Sequence, residues 1–120
     1  MNIDKVVDDL KKLPGFAEKV GMVLVHNGTV REISRQSSSK IKFIDVNPDY
    51  KKMDAICREL EERDGIFRIV AEARSGRLMP GDDLLLLVVA GNYRENVLAA
   101  MTELLDRVKS EAIRKQETGA

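Results

Sequence analysis

The chain has 120 residues, the size of one domain with a core of its own. Lys and Arg number 20 and Asp and Glu also 20, so the formal net charge is zero. That balance argues against a general nucleic-acid binder, whose affinity needs an excess of phosphate-neutralising cations. One cysteine, Cys57, and one histidine, His26, exclude an internal disulfide and any all-cysteine or multi-histidine metal site within the chain. The longest apolar run, Leu84 to Ala90, is too short to cross a bilayer, and the N-terminal segment alternates acids and bases without a hydrophobic signal core. A cytoplasmic protein with no membrane span is expected.

In chain order, Ile3, Val6, Val7, Leu10 and Leu13 recur at helical spacing, and Pro14-Gly15 stops the pattern. Val20 to Val25 is mostly apolar and β-branched, which reads as a strand reaching a turn or bulge at Gly28 and continuing through Arg31. Gln36-Ser37-Ser38-Ser39 is a polar loop expected to be mobile, and Lys40 to Val46 alternates as a half-buried strand. Asn47-Pro48-Asp49 opens a helix whose stripe is Tyr50, Met53, Ile56, Cys57 and Leu60, and Asp64-Gly65 closes it.

Ile66 to Ala73 reads as a strand. Ser75-Gly76 and Pro80-Gly81-Asp82 are turn chemistry, and Leu84 to Ala90, apolar on both faces, is expected to be a central strand. Val97, Met101, Leu104, Leu105, Val108 and Ala112 mark the last helix, and the polar tail from Lys115 is expected to fray. Without a repeat or linker, residues 1–120 form a single α+β domain, a mixed or antiparallel sheet with helices packed on one side.

Periodicity assigns no function, so the positions of the cations matter. Arg31 closes the first strand, Arg74 and Arg94 follow the third and fourth, and Lys109 and Lys115 close the last helix. Strand ends and helix termini are where loops gather side chains around a crevice. Most Arg and Lys are simply solvated, and each of these taken alone reads that way. His26 reads as a hydrogen-bonded structural histidine, and Cys57, on an apolar stripe, as a buried inert thiol.

Taken together the strings change this reading. Gly28-Thr29-Val30-Arg31, then Arg74-Ser75-Gly76-Arg77-Leu78-Met79-Pro80-Gly81-Asp82, then Tyr93-Arg94, then Lys109 with Lys115-Gln116-Glu117 resemble, in order and spacing, the large catalytic subunit of molybdopterin synthase. The resemblance runs from about Gly21 to Glu117. It implies a hammerhead-like α+β domain that forms a homodimer. Each subunit of such a dimer binds a small β-grasp sulfur carrier, whose C-terminal Gly-Gly tail arrives as a thiocarboxylate. The sulfur passes to cyclic pyranopterin monophosphate, twice, to form the dithiolene of molybdopterin, without a metal or organic cofactor.

By the same resemblance Lys109 and Lys115 are the catalytic lysines, Arg31 and Arg94 hold substrate oxygens, and Glu117 orients or neutralises at the pocket edge. Arg74, Tyr93 and Gln116 complete the substrate-binding set. A lysine crowded by other cations holds its proton less tightly and can act as acid or base near neutrality. Tyr93 stands where the family has His, Ala73 where it often has His, and the family's Pro and Trp before the second lysine are absent.

The missing Pro raises a geometric question. Six residues apart on an unbroken helix, Lys109 and Lys115 would diverge by about 120°. Either the helix ends before Lys115, or Lys115 does not share a pocket with Lys109. A family relative that has kept the fold and dimer as a non-catalytic partner-binding module is the alternative to the enzyme.

Overall fold

The computed structural model describes residues 1–120. Asn2 starts the first helix, α1 (Ile3–Lys11), by accepting the Lys5 backbone N–H on its side chain at 3.0 Å. Leu10 is the buried contact of this helix, and Ile3, Val6 and Leu13 pack beside it on Leu86 and Val88. Gly15, at φ +86°, turns the chain into the short helix α2 (Phe16–Lys19). There the Phe16 ring meets the edge of Phe67 at 6.0 Å.

The main sheet is antiparallel and three-stranded, with β1 (Met22–Thr29) and β3 (Ile66–Ala73) flanking β5 (Asp83–Gly91). Residues 84–91 of β5 are all buried, because both faces are covered. Leu86 and Val88 face α1, whereas Leu85, Leu87 and Val89 face the core shared with α3 (Tyr50–Glu61) and α4 (Arg94–Arg107). Burial of each such leucine stabilises the fold by about 2 kcal/mol. The fold class is α+β, as expected, and α3 and α4 lie together on one face. The N-terminal helix covers the opposite face, which is what lets β5 be apolar on both sides. The register of β1 on β5 shifts between Gly28 and Thr29, the bulge expected at that glycine.

A second antiparallel sheet has the order β4-β2-β6, formed by β4 (Gly76–Leu78), β2 (Ile41–Pro48) and β6 (Ile113–Gly119). The sheet expected to be single is therefore two. Gly76, expected in a turn, instead opens a short strand with Arg77 and Leu78, and the tail expected to fray is paired with β2 over its length. Backbone hydrogen bonding holds β6, and only Ile113 and Thr118 are partly buried, so hydropathy carries no sign of it.

Asp49 caps α3 by accepting the Lys52 N–H at 3.0 Å. Three α3 side chains then satisfy the outer edge of β3. Arg58 donates to the Ile69 carbonyl at 2.9 Å, Glu61 accepts the Ile69 N–H at 2.8 Å, and the Tyr50 hydroxyl donates to the Ala73 carbonyl at 3.0 Å. The last helix does not end at a proline. It widens into a π-turn over Val108–Ala112, whose buried Val108 and Ala112 keep it on the core, and Ile113 is already extended. The Ala112 carbonyl accepts the Asp49 N–H at 2.7 Å, which ties the turn to the start of α3.

Gly65, at φ +79°, turns the chain from α3 into β3 where the Asn92 N–H donates to its carbonyl at 2.8 Å, and a Cβ there would run into the Asn92 and Asn96 side chains. Gly65→Ala is expected to cost about 1–3 kcal/mol. A urea titration checks it: the midpoint falls while the slope is unchanged.

Candidate functional site

The bulge at Gly28 and the release of the chain at Ala112 bring β1 and β6 to opposite walls of one cavity of about 240 Å³. Leu84, Leu85, Ile41 and Ile44 supply apolar lining. The polar lining is Arg31 and Arg35 from the segment after β1, Lys109 from the π-turn, Lys115 and Glu117 from β6, and His26 from β1. Alternation along a strand puts Lys115 and Glu117 on one face and Gln116 on the other.

Four cations thus stand against one carboxylate. None of the four takes part in an ion pair, whereas Lys52, Arg58, Arg63, Arg68, Arg77 and Arg107 elsewhere are paired. Glu117 is held in place, its Oε1 accepting the Ser34 hydroxyl at 2.8 Å. Ser34 is buried, and its Oγ also accepts the Gln36 and Ser37 N–H groups at 3.3 and 3.4 Å. The Ser34 N–H donates to the Ser39 carbonyl and the Ser38 N–H to the Ser34 carbonyl, at 2.8 and 2.9 Å. The polar loop expected to be mobile is thus a hydrogen-bonded turn at the cavity rim, fastened to β6 through Glu117.

The segment carrying Lys109 is anchored from α3. Arg107 bonds both Glu59 and Glu111, the latter at 3.0 Å, and Lys52 reaches Glu111 at 3.4 Å. The Arg107 hydrogen bond holds the Glu111 carboxyl below the usual glutamate range.

His26 shares the cavity with Lys109, and its Nε2 is shielded from solvent with no hydrogen-bond partner. Burial first, and the Lys109 charge second, push the imidazole below its ordinary value. The strand pattern around His26 predicts a hydrogen-bonded structural histidine, whereas its Nε2 has no partner. Its position shows only once β6 and the segment after β1 close around it. Arg35 was also missed, since nothing in its local pattern separates it from a solvated charge.

The structure brings together Arg31, Lys109, Lys115 and Glu117 and leaves the other named residues apart. Arg94 is exposed beside Glu95 at 3.5 Å, and Tyr93, also exposed, borders a shallow hollow near Gly65. Arg74 is exposed beyond the end of β3, and Gln116 faces away on β6. Cys57 is buried on α3, and burial pushes its thiol up, consistent with an inert group. No three His, Cys, Asp or Glu side chains come together to hold a metal, and no helix is long and apolar enough to cross a membrane.

The family model described as MoaE protein matches residues 1–111. A probable molybdopterin synthase of Haloferax volcanii is 40% identical over 68 residues, a stretch that is 56% of this chain and 26% of that protein. The match therefore spans about a quarter of that relative's length. Among solved structures, a molybdopterin synthase from Staphylococcus aureus superposes with a TM-score of 0.81 at 21% identity, covering 100% of this chain and 86% of the other. A molybdopterin biosynthesis MoaE protein from Burkholderia ambifaria gives 0.77 at 23%, covering 100% and 81%. A complex of subunits 1 and 2 of the molybdopterin-converting factor from Helicobacter pylori gives 0.72 at 16%, covering 98% and 78%. At these identities the superpositions show a shared fold.

The Ser34 hydroxyl is the fastening between the rim and β6. Ser34→Ala is expected to destabilise the protein by about 1–2 kcal/mol, since Glu117 and two backbone N–H groups lose their partner. Chemical denaturation measures this directly, and an unchanged midpoint would show that the fastening contributes nothing.

Proposed function

The chain belongs to the MoaE protein family, and from that membership we propose that it acts in molybdenum cofactor biosynthesis as the large subunit of a molybdopterin synthase. The reaction is sulfur transfer from a thiocarboxylated small carrier protein to cyclic pyranopterin monophosphate. The observation that carries this reading is the gathering of four unpaired cations, Arg31, Arg35, Lys109 and Lys115, around one cavity. A substrate phosphate and a carrier thiocarboxylate are both anions, and a site that brings them together has to supply positive charge.

In this reading Arg31, with a planar fork of donors, holds phosphate oxygens, and Lys109, on the anchored turn, is the acid or base next to the transferred sulfur. Lys115 screens the carrier's tail, and Glu117, fixed by Ser34, orients the lysines. The carrier's Gly-Gly end, which brings no side chains, suits a cavity of about 240 Å³.

Arg94 lies beyond the far end of β5 from Leu84 and Leu85, about 20 Å or more along the strand. Its own side chain does not span that distance. A homodimer is the arrangement in which Arg94 and Tyr93 of one copy could serve the cavity of the other.

The second reading, a non-catalytic dimeric module that binds a partner, draws on Tyr93 in place of His and on the lack of any Trp. One assay separates the two. The protein is mixed with a thiocarboxylated carrier and the cyclic pterin substrate, and molybdopterin is followed. The enzyme reading expects product, and a loss of about 100-fold or more in Lys109→Ala with its fold intact. Carrier binding without product in the unaltered protein would establish the module instead.

A further inference from the structure

Among the side chains that line the cavity, His26 alone has a polar atom shielded from solvent without a hydrogen-bond partner. Its ring lies on the face of β1 that carries Leu24 toward the main core, and Nε2 is closed off from solvent. A Cβ on Gly28 would sit 3.1 Å from that nitrogen, so the glycine at the bulge is what leaves room for the ring. A shielded nitrogen without a partner is costly, and in native structures such a group calls for an explanation.

The groups around it are known from every side. The segment after β1 brings Arg31 and Arg35, the π-turn brings Lys109, and β6 brings Lys115 and the Ser34-bound Glu117. From β5 come only the apolar Leu84 and Leu85. Burial first, and the Lys109 charge second, favour the neutral imidazole when no anion is present.

We propose that His26 is a ligand contact of this cavity: as an anion settles among Arg31, Lys109 and Lys115, the ring turns to bring Nε2 out of its shielded position, takes up a proton from solvent and donates a hydrogen bond to the anion. The proposal rests on the reading of the cavity as an anion site, and extends it to a residue outside the lysine and arginine set. The bound anion offsets the field of the neighbouring cations and favours the imidazolium. The sign follows: affinity for a ligand of fixed charge rises as pH falls through the midpoint of the free protein, then levels off.

His26 is the only histidine, so its ring proton resonances titrate without overlap from another. The experiment is a proton NMR titration of the whole chain, with and without inorganic sulfate at matched ionic strength. Sulfate keeps its charge across the range, so only the protein titrates. Without sulfate the midpoint is expected below the ordinary histidine range, and with saturating sulfate it is expected to rise by about one pH unit, equivalent to about tenfold tighter binding to the protonated form. Lys109→Met is expected to raise the sulfate-free midpoint. His26→Phe, which fills the same space, is expected to bind sulfate with an affinity that no longer strengthens at acid pH.

Equal midpoints with and without sulfate, or unaltered pH dependence in His26→Phe, would overturn the proposal. Absence of any sulfate binding would overturn it together with the anion-site reading. A sulfate-linked rise in a protein that forms no molybdopterin would leave His26 as assigned and remove only the enzyme.

Discussion

Backbone pairing of β6 with β2 is the constraint from which the cavity follows. Without it, Lys115 and Glu117 would belong to an unattached tail, and Lys109 would end a helix facing solvent. The pairing is possible because α4 gives way to a π-turn at Val108 and the chain is extended by Ile113. In the family pattern a proline interrupts the helix between the two lysines. Here the same release is reached by widening the helix, with the Ala112 carbonyl satisfied by Asp49 instead of by a further turn. The widened turn thus leaves Lys109 and Lys115 lining the same cavity.

The elements that were legible in the amino-acid pattern are those whose stability comes from burying side chains. Leu84 to Ala90, the stripe Met53, Ile56, Cys57 and Leu60, and the run Ile66 to Ala73 all lie where their hydropathy puts them. Of the elements that were not legible, β6 is held mainly by amide hydrogen bonds, and polar side chains such as those of Lys115, Gln116 and Glu117 leave no trace in a hydrophobic profile, while β4 buries only Leu78, too short a pattern to show a strand. The site followed the same division. Arg31 and Arg94 both come just after apolar strands and look equivalent in the sequence. β1 and β5 are antiparallel, however, so the residues that follow them emerge at opposite ends of the sheet. Orientation between strands is a tertiary fact, and no local motif contains it. An unbroken helix would turn Lys109 and Lys115 apart, and the π-turn removes that constraint.

The electrostatic design of the molecule is uneven. On α3 and the end of α4, charges are interlocked: Arg58 with Asp54 and Glu61, Arg107 with Glu59 and Glu111, and Lys52 with Glu111. Exposed pairs of this kind add little stability singly, and those of Arg107 and Lys52 tie the segment that presents Lys109 to α3. Around the cavity the reverse holds, with like charges left together. Two like charges about 4 Å apart in water repel by about 1 kcal/mol, and by less at greater separation. The hydrogen bond from Ser34 to Glu117 keeps the one available counter-charge at the rim, so it moderates that repulsion without filling the space between the walls. A region that is destabilised by its own charges is one that an anion stabilises on arrival.

The side chains laid along β3 have an effect on the behaviour of the protein in crowded solution. An outermost strand ordinarily exposes a row of amides that any extended chain can copy. At Ile69 both the amide hydrogen and the carbonyl oxygen are already engaged by α3, and Tyr50 occupies the carbonyl of Ala73. An approaching peptide would have to displace Glu61, Arg58 and Tyr50 before forming a ladder, so this flank of the main sheet is guarded against amyloid-like growth by its own helix.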